Sequence, residues 1–306
     1  MKTLYLRITL FISIMFNLQV YAQVASRHWR DVDYAGDSMI YHKLDIYLPE
    51  IQKEKYPVVI AIYGSAWMAN NLKESVMFSF GKSLLDAGFA VVSPNHRSSK
   101  DALFPAQIHD IKAVIRFIRA NSAKYSLDTS FIGITGFSSG GHLAAFAGTT
   151  GNVKQFTLGN ASVDIEGQVG KYLNYSTKVD AVVDWFGPID LLSIDSCRHQ
   201  KMFDEKNAPE VLLMGCPMAQ NKDKYRLASP ITYIDANDPP FLILHGDKDE
   251  LVPYCQSELL YNALKKAGIV VEYIVVPGAG HGQGMFEDKY YRMMTDFFIK
   301  NMSNKH

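Results

Sequence analysis

Gly136-Phe137-Ser138-Ser139-Gly140 sets a serine between two glycines in the spacing G-x-S-x-G. The flanking residues decide whether that spacing means chemistry. Before it, Phe131 to Thr135 is an apolar run of strand character; after Gly141, Leu143, Ala144 and Ala147 begin a helical pattern. A serine caught in so sharp a strand-to-helix turn is strained and exposed, and side chains two positions away on either side would collide, so glycines belong there. In a loop without those flanks the same pentapeptide would be a plain turn. The helix behind the serine aims N–H groups at developing negative charge, which makes the N–H of Ser139 a candidate oxyanion donor.

A serine hydroxyl is a poor nucleophile until a base removes its proton and a carboxylate orients that base. At strand-turn-helix sites the partners follow in the order serine, acid, histidine. Of the nine histidines, His281 stands in Pro277-Gly278-Ala279-Gly280-His281-Gly282, a glycine-rich loop directly after the last apolar strand. His245 precedes the acid region and reads as loop support, and His142, one helical turn after Ser138, reads as packing. The stretch Leu244 to Pro253 offers Asp247, Asp249 and Glu250. Asp249 is the expected acid and Asp247 the fallback, since an aspartate there can instead tighten the turn by accepting backbone N–H groups. A second oxyanion donor should come from the turn after the first parallel strand, Tyr63-Gly64-Ser65-Ala66-Trp67, where Gly64, Ser65 and Ala66 are available. Losing such a donor costs about 3 to 4 kcal/mol in other serine hydrolases.

These groups need a scaffold, and from about residue 57 apolar runs and helical periodicities alternate. Val58 to Tyr63, Phe89 to Ser93, Phe131 to Thr135, Val179 to Phe186, Phe241 to Leu244 and Val270 to Val276 read as buried strands. Ser75 to Asp86 reads as a helix ending at Gly88. Ile108, Ile111, Ile115 and Ile118 mark one face of a long helix, and Leu260, Ala263, Leu264 and Ala267 one face of another. Arg30 to Tyr34 and Leu44 to Leu48 read as short antiparallel strands at one edge. The expected class is α/β, with a mostly parallel central sheet and helices on both faces. Thr150 to Thr177 and Asp190 to Pro239 interrupt the series, and irregular segments of that length are commonly lids or binding loops, so substrate selection is expected there.

The chain resembles the α/β-hydrolase esterases grouped with the hormone-sensitive-lipase-like carboxylesterases, and most closely their bacterial feruloyl and acetyl esterase-like branch. The resemblance rests on Tyr63 to Trp67, Phe104-Pro105-Ala106-Gln107, Gly136 to Ala144, His245 to Pro253, and Gly280-His281-Gly282. It covers nearly the whole mature chain. It implies a serine esterase without a cofactor, acting on acetyl or feruloyl esters of plant polysaccharides. The family pattern is His-Gly-Gly-Gly-Trp or His-Gly-Gly-X-Trp, whereas this sequence has Tyr63, Ser65 and Ala66 in place of the His and two glycines. Side chains at Ser65 and Ala66 narrow the pocket and restrict φ, and Ser65 ranks first among the three donors. A prolyl-oligopeptidase-like serine peptidase is the alternative; such enzymes usually carry a large extra domain, and no repeat or propeller pattern precedes residue 57. A binding protein that keeps the fold without catalysis is a third.

Composition limits the partners. The 306 residues are 48% hydrophobic and 20% charged, with basic and acidic residues balanced at 31 each. That gives no electrostatic footprint for nucleic acid or anionic lipid and favours a small-molecule or polysaccharide-linked ester as substrate. Trp67, Trp185 and Phe186, near the expected catalytic loops, suit a neutral substrate with sugar or aromatic groups. Residues 1–22 read as a signal peptide: Lys2 and Arg7, an apolar stretch from Ile8 to Leu18, and a cleavage site at Val20-Tyr21-Ala22. A secreted or periplasmic single domain over 23–306, with net charge about −2, is the expectation, and a buried N-terminal helix the alternative. The stretch is short against the roughly 20 residues of a membrane span. No C-x-x-C or His-rich cluster suggests a metal. In an oxidising compartment Cys197 and Cys216 are the expected bridge, with three free thiols (Cys255 the third) as the alternative.

Overall fold

The structure, a computed structural model, describes residues 27–197 and 206–304. The expected signal peptide and its cleavage site lie outside them. The strands β1 (Arg27–Asp33), β2 (Lys43–Leu48), β3 (Tyr56–Ile62), β4 (Ala90–Pro94), β5 (Leu127–Phe137), β8 (Ala181–Trp185), β9 (Phe241–Gly246) and β10 (Val271–Val276) form one sheet. Its order is β1-β2-β4-β3-β5-β8-β9-β10. All neighbours from β4 to β10 are parallel, and β1 and β2 extend the β4 edge antiparallel. This is the α/β-hydrolase arrangement.

Burial on both faces explains the unbroken apolar strands. In β3, Val58, Ile60 and Ile62 enter one core while Val59, Ala61 and the following Tyr63 enter the other. Alternate side chains of a strand must point to opposite faces. Helices α1 (Gly81–Asp86), α2 (Ala106–Ala120), α3 (Ser139–Thr149), α4 (Cys255–Lys266) and α5 (Asp288–Ser303) cover the two faces. On one lie Ile108, Ile111 and Ile115 of α2 with Leu143 of α3 and Leu260 and Leu264 of α4. On the other lie Leu84 and Leu85 of α1 with Met294, Phe297 and Phe298 of α5.

Three expectations change. The helix expected over Ser75 to Asp86 is two pieces, a 3-10 turn Lys73–Phe78 and α1. Both the N–H and the hydroxyl of Ser79 donate to Val76 O, a local bonding that competes with a continuous helix.

Residues 150–177 are not wholly irregular. They carry the hairpin β6 (Gln155–Leu158) and β7 (Ala161–Asp164). They are bound along the length of α2: His109 Nε2 donates to Asp164 O (2.8 Å), Glu166 pairs with Lys112 (3.0 Å) and Arg116 (2.7 Å), and Arg119 donates to Ser176 O and Lys178 O.

The cysteine pairing is also corrected. Cys197 is bonded to Cys255, 58 residues on, and Cys216 is free and half-buried. The reason is the path of the chain. The Leu213 carbonyl binds Phe104 N–H, fixing the Cys216 region against that loop. Residues 189–193 are instead drawn to the start of α4, where the Gln256 amide accepts the N–H groups of Ile189 and Asp190 and donates to Ser193 Oγ. Closing the longer loop restricts the unfolded chain by about 4 kcal/mol.

Candidate active site

Ser138 sits between β5 and α3 at φ 56° and ψ −125°, a region that costs a non-glycine residue about 1 to 3 kcal/mol. Its N–H donates to Trp185 O and its carbonyl accepts from His142 N–H, so the turn is held from both sides. A Cβ on Gly136 would stand 2.3 Å from Gly140 O, and one on Gly140 would stand 2.4 Å from Ile62 O. The two glycines of the pentapeptide are therefore required by contact.

His281 reaches this turn from the loop after β10. Its Nε2 lies 2.9 Å from Ser138 Oγ and its Nδ1 2.7 Å from Asp249 Oδ2. With Nδ1–H donating to the carboxylate, Nε2 is free to accept the serine proton. Asp249 Oδ1 accepts the N–H groups of Leu251 and Val252, both at 2.9 Å. Burial alone would raise the Asp249 carboxyl, but hydrogen bonds and charge from His245 and His281 outweigh it and bring it down to about 2. Asp249 is thus an ionised orienting group over the whole useful pH range. Asp247 accepts the Gly278 N–H at 2.7 Å and braces the two loops against each other.

The other two histidines are both buried. Burial lowers His142 to about 4, and the neutral ring accepts from Trp67 Nε1–H and donates to Ala228 O. His245 lies against Asp249 at 3.3 Å, a contact that sequence reading missed. The spacing of four residues between them was the available signal.

The turn after β3 approaches the nucleophile from the opposite side. A Cβ on Gly64 would fall 2.6 Å from Phe137 O and 2.8 Å from Ser138 Cβ. Ser65 N–H donates to Ser139 Oγ (2.8 Å), and Met68 N–H closes the turn on Ser65 O. Both central residues, Ala66 (φ 52°) and Trp67 (φ 58°), are left-handed. The Trp67 carbonyl accepts the Ser99 N–H and hydroxyl, and its ring is anchored on His142, which keeps the turn in place. The substitution Ala66→Gly is therefore expected to raise thermal stability by about 0.5 to 1 kcal/mol, the left-handed penalty of an alanine less the chain entropy of a glycine. A lowered melting temperature would contradict that view of the turn.

Trp67, Trp185 and Phe186 are 2%, 0% and 1% exposed. They hold the site from behind and do not present a face to a substrate, contrary to the expectation from sequence. Phe186, itself at φ 44°, packs its ring against His281 at 4.9 Å and against Phe137 and Phe286. The apolar residues exposed on the loops of the oxyanion turn and the acid are Met68, Leu251 and Tyr254.

Asp184, next to Trp185, is fully buried behind the first turn of α3. Burial raises its carboxyl to about 7, opposed only by the N–H of Gly187, and Oδ2 has no hydrogen-bond partner among the described residues. The unfolded chain ionises this group near pH 4. Its folded carboxyl is raised, so its contribution to stability is full below about pH 4 and is lost as pH rises to about 7. Asp184→Asn should flatten the fall in melting temperature between about pH 4 and about pH 7; an unchanged slope would remove Asp184 as its source.

The BD-FAE family profile matches residues 44–264. Esterase LipQ of Mycobacterium tuberculosis is 33% identical over 241 residues, 78% of this chain and 53% of that protein. The chain spans about half the length of the curated relatives it matches. Among solved structures, a truncated carbohydrate esterase from gut microbiota superposes with a TM-score of 0.88 at 51% identity, covering 92% of this chain and 98% of the other. A bifunctional GH43-CE from Bacteroides eggerthii superposes at 0.87 with 56% identity, covering 90% of this chain and 35% of the other.

Proposed function

The chain belongs to the BD-FAE family, and from that premise we propose that it is a serine carboxylic-ester hydrolase working through an acyl-enzyme. The carrying observation is the continuous hydrogen-bonded line from Asp249 through His281 to Ser138 Oγ at the strained turn. In the first half-reaction, Ser138 Oγ attacks the ester carbonyl as His281 Nε2 takes its proton, and His281 returns that proton to the departing alcohol. In the second half-reaction a water attacks the acyl carbon, His281 takes the water proton, and the acid leaves as Ser138 regains its hydrogen.

Developing charge on the carbonyl oxygen is met by the N–H of Ser139, which in the first turn of α3 has no helical acceptor. The turn at Gly64 to Ala66 supplies the second donor. Since Ser65 N–H is given to Ser139 Oγ at rest, Ala66 ranks before Ser65 and Gly64. No metal or cofactor takes part in this scheme.

The substrate class we infer is an acetyl or feruloyl ester carried on a plant polysaccharide. It is supported by the carbohydrate esterases among the similar solved structures and by the balanced charge of the chain. An exported enzyme with its signal peptide removed after Ala22 fits a polymeric substrate outside the cell. Assay of acetyl, butyryl and feruloyl aryl esters and acetylated xylan beside a proline aryl-amide tests the reading. Turnover of esters, with acetate release from xylan, is expected; amide turnover without ester turnover would favour the peptidase instead.

A further inference from the structure

His245 lies at the end of β9, fully buried, and is not part of the Ser138–His281–Asp249 line. Its Nε2 faces two acceptors, Val252 O at 2.8 Å and Asp249 Oδ2 at 3.3 Å. A carbonyl only accepts, so Nε2 carries the hydrogen and donates it to Val252 O, with Asp249 Oδ2 beside it. Its Nδ1 is 2.6 Å from Ser257 Oγ, in the first turn of α4. In the neutral ring Nδ1 accepts, so the Ser257 hydroxyl donates. The Val252 carbonyl therefore sets the tautomer, Ser257 seats the ring from the helix side, and the N–H edge lies beside the acid.

Asp249 Oδ2 consequently accepts from His281 and has the positive N–H edge of His245 3.3 Å away, while Oδ1 is filled by two backbone N–H groups. Phe186 makes edge-type contacts with both imidazoles, at 4.9 Å to His281 and 6.2 Å to His245. The elements around His245 also carry Asp184 on β8, Glu272 and Tyr273 on β10, Tyr254 and Glu258 at the start of α4, and Asp247, Lys248 and Glu250 on its own loop. Among the described residues, Asp249 is the carboxylate within 4 Å of the His245 ring nitrogens.

We infer that His245, pinned by Ser257, is a positioning residue for the acid: its N–H holds Asp249 Oδ2 in line with His281 and draws charge from it. This rests on the triad reading above. A carboxylate relieved of that donor attracts the His281 proton more strongly, so the imidazolium persists to higher pH and the base is available later.

The test measures pH profiles of kcat/KM, and kcat and KM separately, for His245→Leu, His245→Gln and Ser257→Ala on a short acetyl aryl ester, with melting temperatures. For His245→Leu the expected result is a kcat lowered about 10-fold, KM within about two-fold, and an acid limb moved up by about half a pH unit or more. The Gln amide can still donate to Oδ2, so His245→Gln should recover most of kcat and return the limb toward the wild-type position.

A purely structural His245 would lower the melting temperature and leave the limb of the folded fraction unmoved; that result overturns the inference, as does a Gln variant no better than Leu. If His245→Leu fails to fold, Ser257→Ala decides, since it removes only a hydroxyl: a smaller upward shift supports the inference and an unmoved limb overturns it. Asp249→Asn separates the two readings. If it remains fully active the triad reading itself fails, whereas an inactive Asp249→Asn beside unshifted His245 variants defeats only the positioning role.

Discussion

Ser138→Ala is expected to lower kcat/KM for a short acetyl aryl ester by about 10⁴-fold or more, while the fold and the melting temperature are kept. In the proposed scheme the hydroxyl is the attacking group, and its removal leaves no atom to form the acyl-enzyme. Ser138→Gly should be equally inactive and more stable. The backbone at φ 56° and ψ −125° is imposed by its bonds to Trp185 and His142, and glycine adopts it at little cost. A gain of about 1 kcal/mol is expected after the chain entropy of glycine is deducted. The pair separates strain from chemistry: a stable, inactive glycine variant shows that this position carries a stability cost tied to the reaction. Full activity in Ser138→Ala would remove the nucleophile from the account.

Asp249→Asn has the next largest expected effect, a loss of about 10⁴-fold in kcat, by analogy with the same change in other triad enzymes. The amide presents a hydrogen where the carboxylate accepted one, so His281 turns to the wrong tautomer or loses its line to Ser138 Oγ. Asp247→Asn is the control. Its carbonyl oxygen can still accept the Gly278 N–H, so kcat should stay within a few-fold of wild type. Equal losses at the two positions would show that the loop as a whole, and not the Asp249 carboxylate, supports the reaction.

Much of this was legible from local pattern. The pentapeptide, the apolar runs and the order serine, acid, histidine follow rules that operate within a few residues or within one strand-helix unit, and the two-faced burial of β3 explains why its run is unbroken. Asp249 and Asp247 were separable in principle, because one is next to an imidazole and the other next to a backbone N–H, but both facts depend on loops 30 residues apart.

What stayed hidden was set by distant chain. Cys197 chose Cys255 over the nearer Cys216 because Gln256 gathers residues 189–193 at the start of α4. Thr150 to Thr177 interrupts the local pattern, and its hairpin is held by distant partners, Glu166 being bound to Lys112 and Arg116. At the turn after β3 the departure from glycine was visible in sequence, yet its outcome was not: Ala66 and Trp67 take left-handed angles, with Trp67 held by Ser99 and His142. The aromatic residues beside the site were likewise visible, but their burial was not, and they serve as backing for His281 and the nucleophile turn.

The central claim is that Ser138 becomes covalently acylated with His281 as its base. Incubation with an aryl fluorophosphonate, followed by intact mass and peptide mapping, measures this directly. The account predicts one adduct per chain, on Ser138, absent from Ser138→Ala and formed far more slowly in His281→Ala. A folded wild-type protein that hydrolyses esters yet takes no label at Ser138, or takes it on another residue, would contradict it.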